Sequence, residues 1–266
     1  MSETGYVHGH HESVLRFHRT RTVQDSAAYL VPELRAGASV LDVGCGPGSI
    51  TADMAELVAH VTAVETSTEA LAAAARLCAE RDLRNVRFAH ADVATLPFAD
   101  SAFDVVHAHQ VLQHVADPVA ALREMRRVCA PGGVVAARDA DYAAMTWYPE
   151  SPGMSDWRAA YRRAAREEGG EPDAGRRLLS WALDAGFTDV TPTTSTWTYA
   201  TPESRSWWGG LWAERVTRSR FAETTARHGL ATAADLERMA AAWRAWVNEP
   251  GGWFAVLHGE VLCRVP

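Results

Sequence analysis

At 266 residues, 47% of them hydrophobic, the chain has the apolar content for one large α/β domain with an ordinary buried core. A formal net charge of −7 argues against nonspecific nucleic-acid or anionic-membrane binding, either of which needs a basic stripe, and makes a small neutral or cationic partner the easier expectation. All 26 basic residues are arginine, which removes lysine Schiff-base chemistry and with it lysine-bound pyridoxal phosphate.

The opening MSETGYVHGHHESV is polar, with no apolar targeting segment, and no stretch approaches the roughly 20 apolar residues of a membrane span. A soluble, cytoplasmic protein is expected. His8, His10, His11 and His18 fall in this region, but zinc needs three or four ligands in fixed geometry, so they read as a polar segment and no metal is expected. Cys45, Cys78, Cys129 and Cys263 lack CxxC spacing and predict neither a zinc site nor a disulfide framework. Helical periodicity over residues 11–22 and again over Gln24–Leu34 predicts two helices ahead of the first strand.

From there strands and helices alternate. Strands are predicted over 39–43, 61–65, 86–90, 104–108 and 133–139, with helices over 48–58, 67–81 and 117–129. Such alternation implies a parallel sheet covered on both faces, whose ligand lies beyond the carboxyl ends of the strands, where Gly44, Glu65, Asp92 and His109 emerge. After Tyr142 the text changes: all ten tryptophans lie between Trp147 and Trp253. Helices are predicted over 154–168, 174–185, 203–227 and 233–248, and strands over 189–199 and 253–264. Most of the tryptophans read as core, with one or two free to line an aromatic pocket.

The most informative stretch is VLDVGCGPGSIT, Val40 to Thr51, a hydrophobic strand running into a glycine-rich turn. Gly44, Gly46 and Gly48 let backbone approach a ligand closely. The spacing is GxGxG, so Ser49 stands where a dinucleotide fingerprint has its third glycine, and a P-loop is excluded because no lysine follows. Asp42, two residues before Gly44, repels a pyrophosphate and favours a ligand with positive charge, through an ammonium or a bridging water.

This loop, the acid Glu65 closing VTAVE, the segment ADVATLPFADSAFDVV (Ala91 to Val106) and VLQHVADPVAALREMRRVCAPGG (Val111 to Gly133) together resemble the ordered motifs of S-adenosylmethionine-dependent methyltransferases. The similar branch contains ubiquinone and menaquinone C-methyltransferases and many small-molecule methyltransferases of bacterial secondary metabolism. The resemblance implies an α/β fold: a doubly wound, mostly parallel seven-stranded sheet with an N-terminal helical lid (1–36), a cofactor-binding core (37–142) and a C-terminal region (143–266) that completes the sheet and covers the acceptor, all one domain. It implies S-adenosylmethionine as cofactor, held by Asp42, Gly44, Cys45 through its backbone, Gly46 and Gly48. Glu65 and the adjacent Thr66 are expected at the ribose, Asp92 at the adenine amino group, the Val93 amide at the ring, and His109 at the cofactor. Tyr6, His11, His18 or Arg21 closes the lid, Arg21 toward the methionine carboxylate.

Methyl transfer from a sulfonium needs alignment in a dry site more than covalent help, and positioning alone supplies about 7–11 kcal/mol in favourable cases. One candidate for proton removal is His114, a histidine being suited by its ordinary pKa to take a proton from the acceptor; packing or cofactor contact is the competing role. The expected partner is a small-molecule acceptor, methylated on O, N or C, with no nucleic acid and no membrane; the oligomeric state is not legible. Two other functions compete: a fold relative that keeps the cofactor as a regulatory subunit or catalyses a rearrangement, and a nicotinamide-dependent oxidoreductase, disfavoured by the loop spacing.

Overall fold

The computed structural model describes residues 21–266, so the helix expected over 11–22 and the lid residues Tyr6, His11 and His18, with His8 and His10, lie outside the described part. The chain enters through a short helix α1 (Val23–Ser26) and a 3-10 turn (Ala28–Glu33). The sequence predicts one helix over 24–34; Ala27, at φ −144°, breaks it, and Pro32 lacks the amide that would continue an α pattern.

The alternating core follows as β1 (Ser39–Val43), α2 (Ser49–Ala55), β2 (His60–Glu65), α3 (Thr68–Glu80), β3 (Val86–His90), β4 (Phe103–His109), α4 (Pro118–Val128) and β5 (Cys129–Ala140). Strands β3, β2, β1, β4 and β5 pair side by side and all parallel. The central strands β1, β4 and β5 are buried along most of their length and rich in valine and alanine, while the edge strand β3 has no fully buried residue. Val40, Val61, Val105 and Ala136 pack with Leu30, Ile50 and Met54 on one face. Leu41, Val106, Val135 and Ala137 pack with Leu122 and Met125 of α4 on the other.

The rest is β6 (Thr146–Tyr148), α5 (Pro152–Glu167), α6 (Leu178–Asp184), β7 (Asp189–Tyr199), α7 (Pro202–Arg218), α8 (Arg220–Arg227), α9 (Ala233–Val247) and β8 (Trp253–Arg264). Strand β8 runs antiparallel between β5 and β7 and completes the sheet. The expected seven strands become eight, because β6 pairs with Trp253–Ala255 of β8. Three residues are too few for a period-2 pattern to announce a strand. The single stretch expected over 203–227 is two helices, divided at Ser219, whose side chain accepts from the Phe221 amide and caps α8.

Helices α5, α7, α8 and α9 form a cap with its own core around Trp157, Trp212 and Trp243, each at most 1% exposed. Trp157 meets Trp212 edge-on at 4.5 Å and Trp243 at 4.8 Å between ring centroids, a favoured aromatic geometry. Trp208 and Trp246 are buried in the same cluster, so the expected core role holds for these five tryptophans, with Trp147, Trp197 and Trp207 partly buried against them. No helix among the described residues is long and apolar enough to cross a membrane.

Candidate cofactor and acceptor site

The glycine turn leaves β1 with Gly44, Gly46 and Gly48 all at positive φ, 68°, 53° and 84°. A Cβ on Gly44 would stand 2.4 Å from the Val111 side chain, and one on Gly48 2.6 Å from Ala74 of α3. Only glycine lets the turn lie this close to the β4 loop and to α3.

The turn's amides are turned largely to the chain's own oxygens. Those of Gly44 and Cys45 donate to the Val64 carbonyl, at 2.8 and 3.1 Å, and that of Gly48 to the Cys45 carbonyl. The amide of Gly46 donates to Glu65 Oε2 at 3.2 Å, while Glu65 Oε1 accepts from the Thr66 amide and hydroxyl and from the Ser67 amide. The half-buried carboxylate of Glu65 is thus fixed at the end of β2, facing the turn.

Asp42 sits beneath this frame, 3% exposed, with Oδ2 accepting from the Thr51 hydroxyl at 2.5 Å and Oδ1 2.9 Å from His107 Nδ1. Facing inward and engaged on both oxygens, it braces the turn; the sequence expectation of a direct ammonium contact is corrected accordingly. Burial, then the charges of Asp42 and Glu65, push the Cys45 thiol well above its ordinary value, which suits the purely backbone role expected of it.

Glu65 is in register with His90, so the turn carrying Asp92 follows beside it. Asp92 Oδ1 accepts from the Ala94 amide at 3.0 Å, and Val93 is buried with its side chain in the core. Gly44, Cys45, Gly46, Gly48, Glu65, Thr66, Asp92 and Val93 are therefore gathered at the ends of three adjacent strands. An acidic side chain at the second strand end, facing a turn with no room for a side chain, fits the ribose of an adenosyl group.

Arg21 and His109 belong to a second group, in which His109 ends β4, Arg138 is its partner on β5, His258 lies midway along β8 and Trp197 near the end of β7. Arg21 Nη2 donates to Gln110 Oε1 at 2.8 Å, and its guanidinium lies 5.4 Å from the Trp197 ring centroid. Gln110 Nε2 is 3.0 Å from His258 Nε2. His109, 6% exposed, has ring neighbours His107, His258 and Trp197 at 6.5, 6.4 and 5.8 Å. Arg21 and His109, both expected at the cofactor, thus share a buried polar group with Gln110, Trp197 and His258, on the strand next to the glycine turn and beyond. Gln110, Trp197 and His258 were missed as site residues; the one local signal is backbone, Gln110 at φ 56°, a left-handed conformation uncommon outside glycine.

His114 ends the 3-10 turn after β4, with Gln113 Nε2 3.0 Å from its Nε2. The protein packed around it, and then the charge of Arg21, push its pKa down to about 3. A base that titrates there is poorly matched to proton removal at neutral pH. Among the described residues no three or more His, Cys, Asp or Glu side chains are grouped to hold a metal ion. A surface recess of about 420 Å³ bordered by Arg126, Arg127 and Val265 lies at the opposite strand ends, away from the His109 group.

Residues 41–137 match the family described as "Methyltransferase domain". An uncharacterized methyltransferase of Schizosaccharomyces pombe is 32% identical over 97% of this chain and 96% of its own length. A demethylmenaquinone methyltransferase of Listeria monocytogenes is 37% identical over 49% of this chain and 54% of its own. Among solved structures, the YcgJ protein of Bacillus subtilis superimposes with a TM-score of 0.61 at 18% identity, over 90% of this chain and 97% of that one. Fold, glycine turn and near full-length likeness agree, and the chain belongs to the S-adenosylmethionine-dependent methyltransferases.

Proposed function

We propose that this methyltransferase acts on a small-molecule acceptor, of the kind modified in secondary metabolism, with the cofactor over the ends of β1, β2 and β3 and the acceptor in the crevice beside β4, β7 and β8. Glu65, with Thr66 beside it, takes the ribose hydroxyls. Asp92 and the Val93 amide take the adenine, and the turn from Gly44 to Gly48 lies against the methionine portion, braced by Asp42. When bound, S-adenosylmethionine supplies the electrophilic methyl; the protein aligns, encloses and dries the site.

The observation that carries the small-molecule reading is burial. His109, His258 and Arg21 are 6%, 0% and 9% exposed, so an acceptor reaching them must be small enough to be engulfed. His114 contributes as a contact at the crevice wall. The test is transfer from S-adenosylmethionine labelled in its methyl group into a fractionated cell extract. Label in the low-mass fraction supports the reading, and label confined to protein or nucleic acid contradicts it.

A further inference from the structure

We propose that the acceptor binds through an anionic oxygen, a phenolate, enolate or carboxylate, received by His109 between the guanidinium groups of Arg21 and Arg138. The inference rests on the methyltransferase reading of the crevice and goes beyond it by fixing the acceptor's charge.

His109 is the unusual residue. Its neighbours on the same sheet face are engaged, His107 through Nδ1 on Asp42 and His258 through Nε2 beside Gln110. Among the described residues, both ring nitrogens of His109 lack a hydrogen-bond partner, although the residue is more than nine-tenths buried. Leaving such polar atoms unmet costs about 1–3 kcal/mol each, a penalty that a bound polar group removes. Burial, then Arg21 and Arg138, hold its pKa well below the ordinary range, so at neutral pH it is an uncharged imidazole with one N–H to donate.

The charges around it point one way. Arg21 lies 5.4 Å and Arg138 4.8 Å from the Trp197 ring centroid, so both guanidinium groups reach the indole that His109 also faces. Arg138 uses Nε on Ser195 and Glu260 and Nη2 on Ser195, and its buried Nη1 has no partner among the described residues. Glu260 is engaged by Arg138, Ser195 and Thr193, and Asp42 by Thr51 and His107; Asp139, next to Arg138 in the chain, has its pKa pushed up to about 8 by burial and so stands uncharged at neutral pH. An ammonium entering here meets two cations and engaged carboxylates, whereas an oxyanion meets N–H donors and a favourable field. Ionisation also raises the electron density of an acceptor oxygen, or of a conjugated carbon, before the methyl is delivered.

The test is binding at saturating S-adenosylhomocysteine, with 4-nitrophenol and benzoate as anionic probes, 4-nitroanisole as neutral control and benzylammonium as cation. Bound 4-nitrophenol should absorb as phenolate and titrate at least one pH unit below the free compound, about a tenfold preference for the anion. A preference shared by benzoate marks a general oxyanion site, and one confined to 4-nitrophenol marks a phenolate or enolate site. Arg21→Gln and His109→Asn should each remove most of the titration shift, with melting temperature showing that they are folded; if His109→Asn does not fold, Arg21→Gln decides. Tighter binding of benzylammonium or 4-nitroanisole, no anion binding, or a shift unchanged in the variants overturns the proposal. Affinity for S-adenosylhomocysteine is measured first: its absence sinks the methyltransferase reading of the crevice as well, whereas its presence without anion preference sinks this inference alone.

Discussion

Glu65 carries the ribose assignment, and its carboxylate is already oriented by the Gly46, Thr66 and Ser67 amides, which lowers the ordering cost of binding. The sequence located it because strand, turn and acid stand at fixed separations. It put His109 at a strand end without its neighbours Trp197 and His258, because strand position fixes where a backbone ends and leaves open which neighbour a side chain meets. The low pKa of His114 makes a first prediction. His114→Ala should lower kcat by less than about 100-fold, the lower end of what a general base contributes, and a larger fall with unchanged cofactor affinity would restore proton removal to this residue. Asp139 makes a second. Burial pushes its carboxyl from 3.8 up to about 8, against the pull of the Gln113 and Leu112 amides and of Arg138. Since the folded value is the raised one, its contribution to stability is complete below the unfolded pKa and is lost as pH climbs from there through about 8. Asp139→Asn, which keeps an acceptor for the Gln113 amide, should therefore melt higher than the parent at pH 8, with the gap closing below about pH 4. Identical pH profiles would show that this carboxyl does not titrate in the fold.

At the scale of elements, most boundaries were legible because the central strands carry apolar runs and several helices open on a capping residue, such as Ser67 before α3 and Asp117 before α4. The misses have local causes. Ser219 caps a new helix inside a continuous helical pattern, and β6 is recruited by β8 rather than by its own sequence. The contact of the glycine turn with α3 is the most sensitive junction, since Gly48 combines φ 84° with an Ala74 Cβ 2.6 Å from where its own Cβ would be. Gly48→Ala should cost about 1–3 kcal/mol, from overpacking and a left-handed backbone together. Denaturant unfolding checks this, and a loss below a few tenths would mean that the two helices part freely. In the cap, Trp157→Ala should cost about 3–5 kcal/mol, because a wholly buried indole in contact with Trp212 and Trp243 leaves a void its neighbours cannot fill. The same unfolding curve reads it, and a neutral result would show that the aromatic cluster collapses around the gap.

For the molecule as a whole, composition pointed to the fold class and away from nucleic acid, but the net charge of −7 is a poor guide to the crevice. Arg21 and Arg138 stand there with a neutral His109. Long-range pairing brought β8 to β5 and β7 to β8, the second across a sequence distance that no local pattern spans. The central claim is that the glycine turn and Glu65 together grip an adenosyl cofactor. Calorimetric titration with S-adenosylhomocysteine tests it most directly, on the parent protein and on Glu65→Ala. The account predicts saturable one-site binding by the parent and a loss of about 1.5–3 kcal/mol in the folded variant, the worth of hydrogen bonds to a charged acceptor. No binding by the parent, or equal affinity in the two proteins, would contradict it.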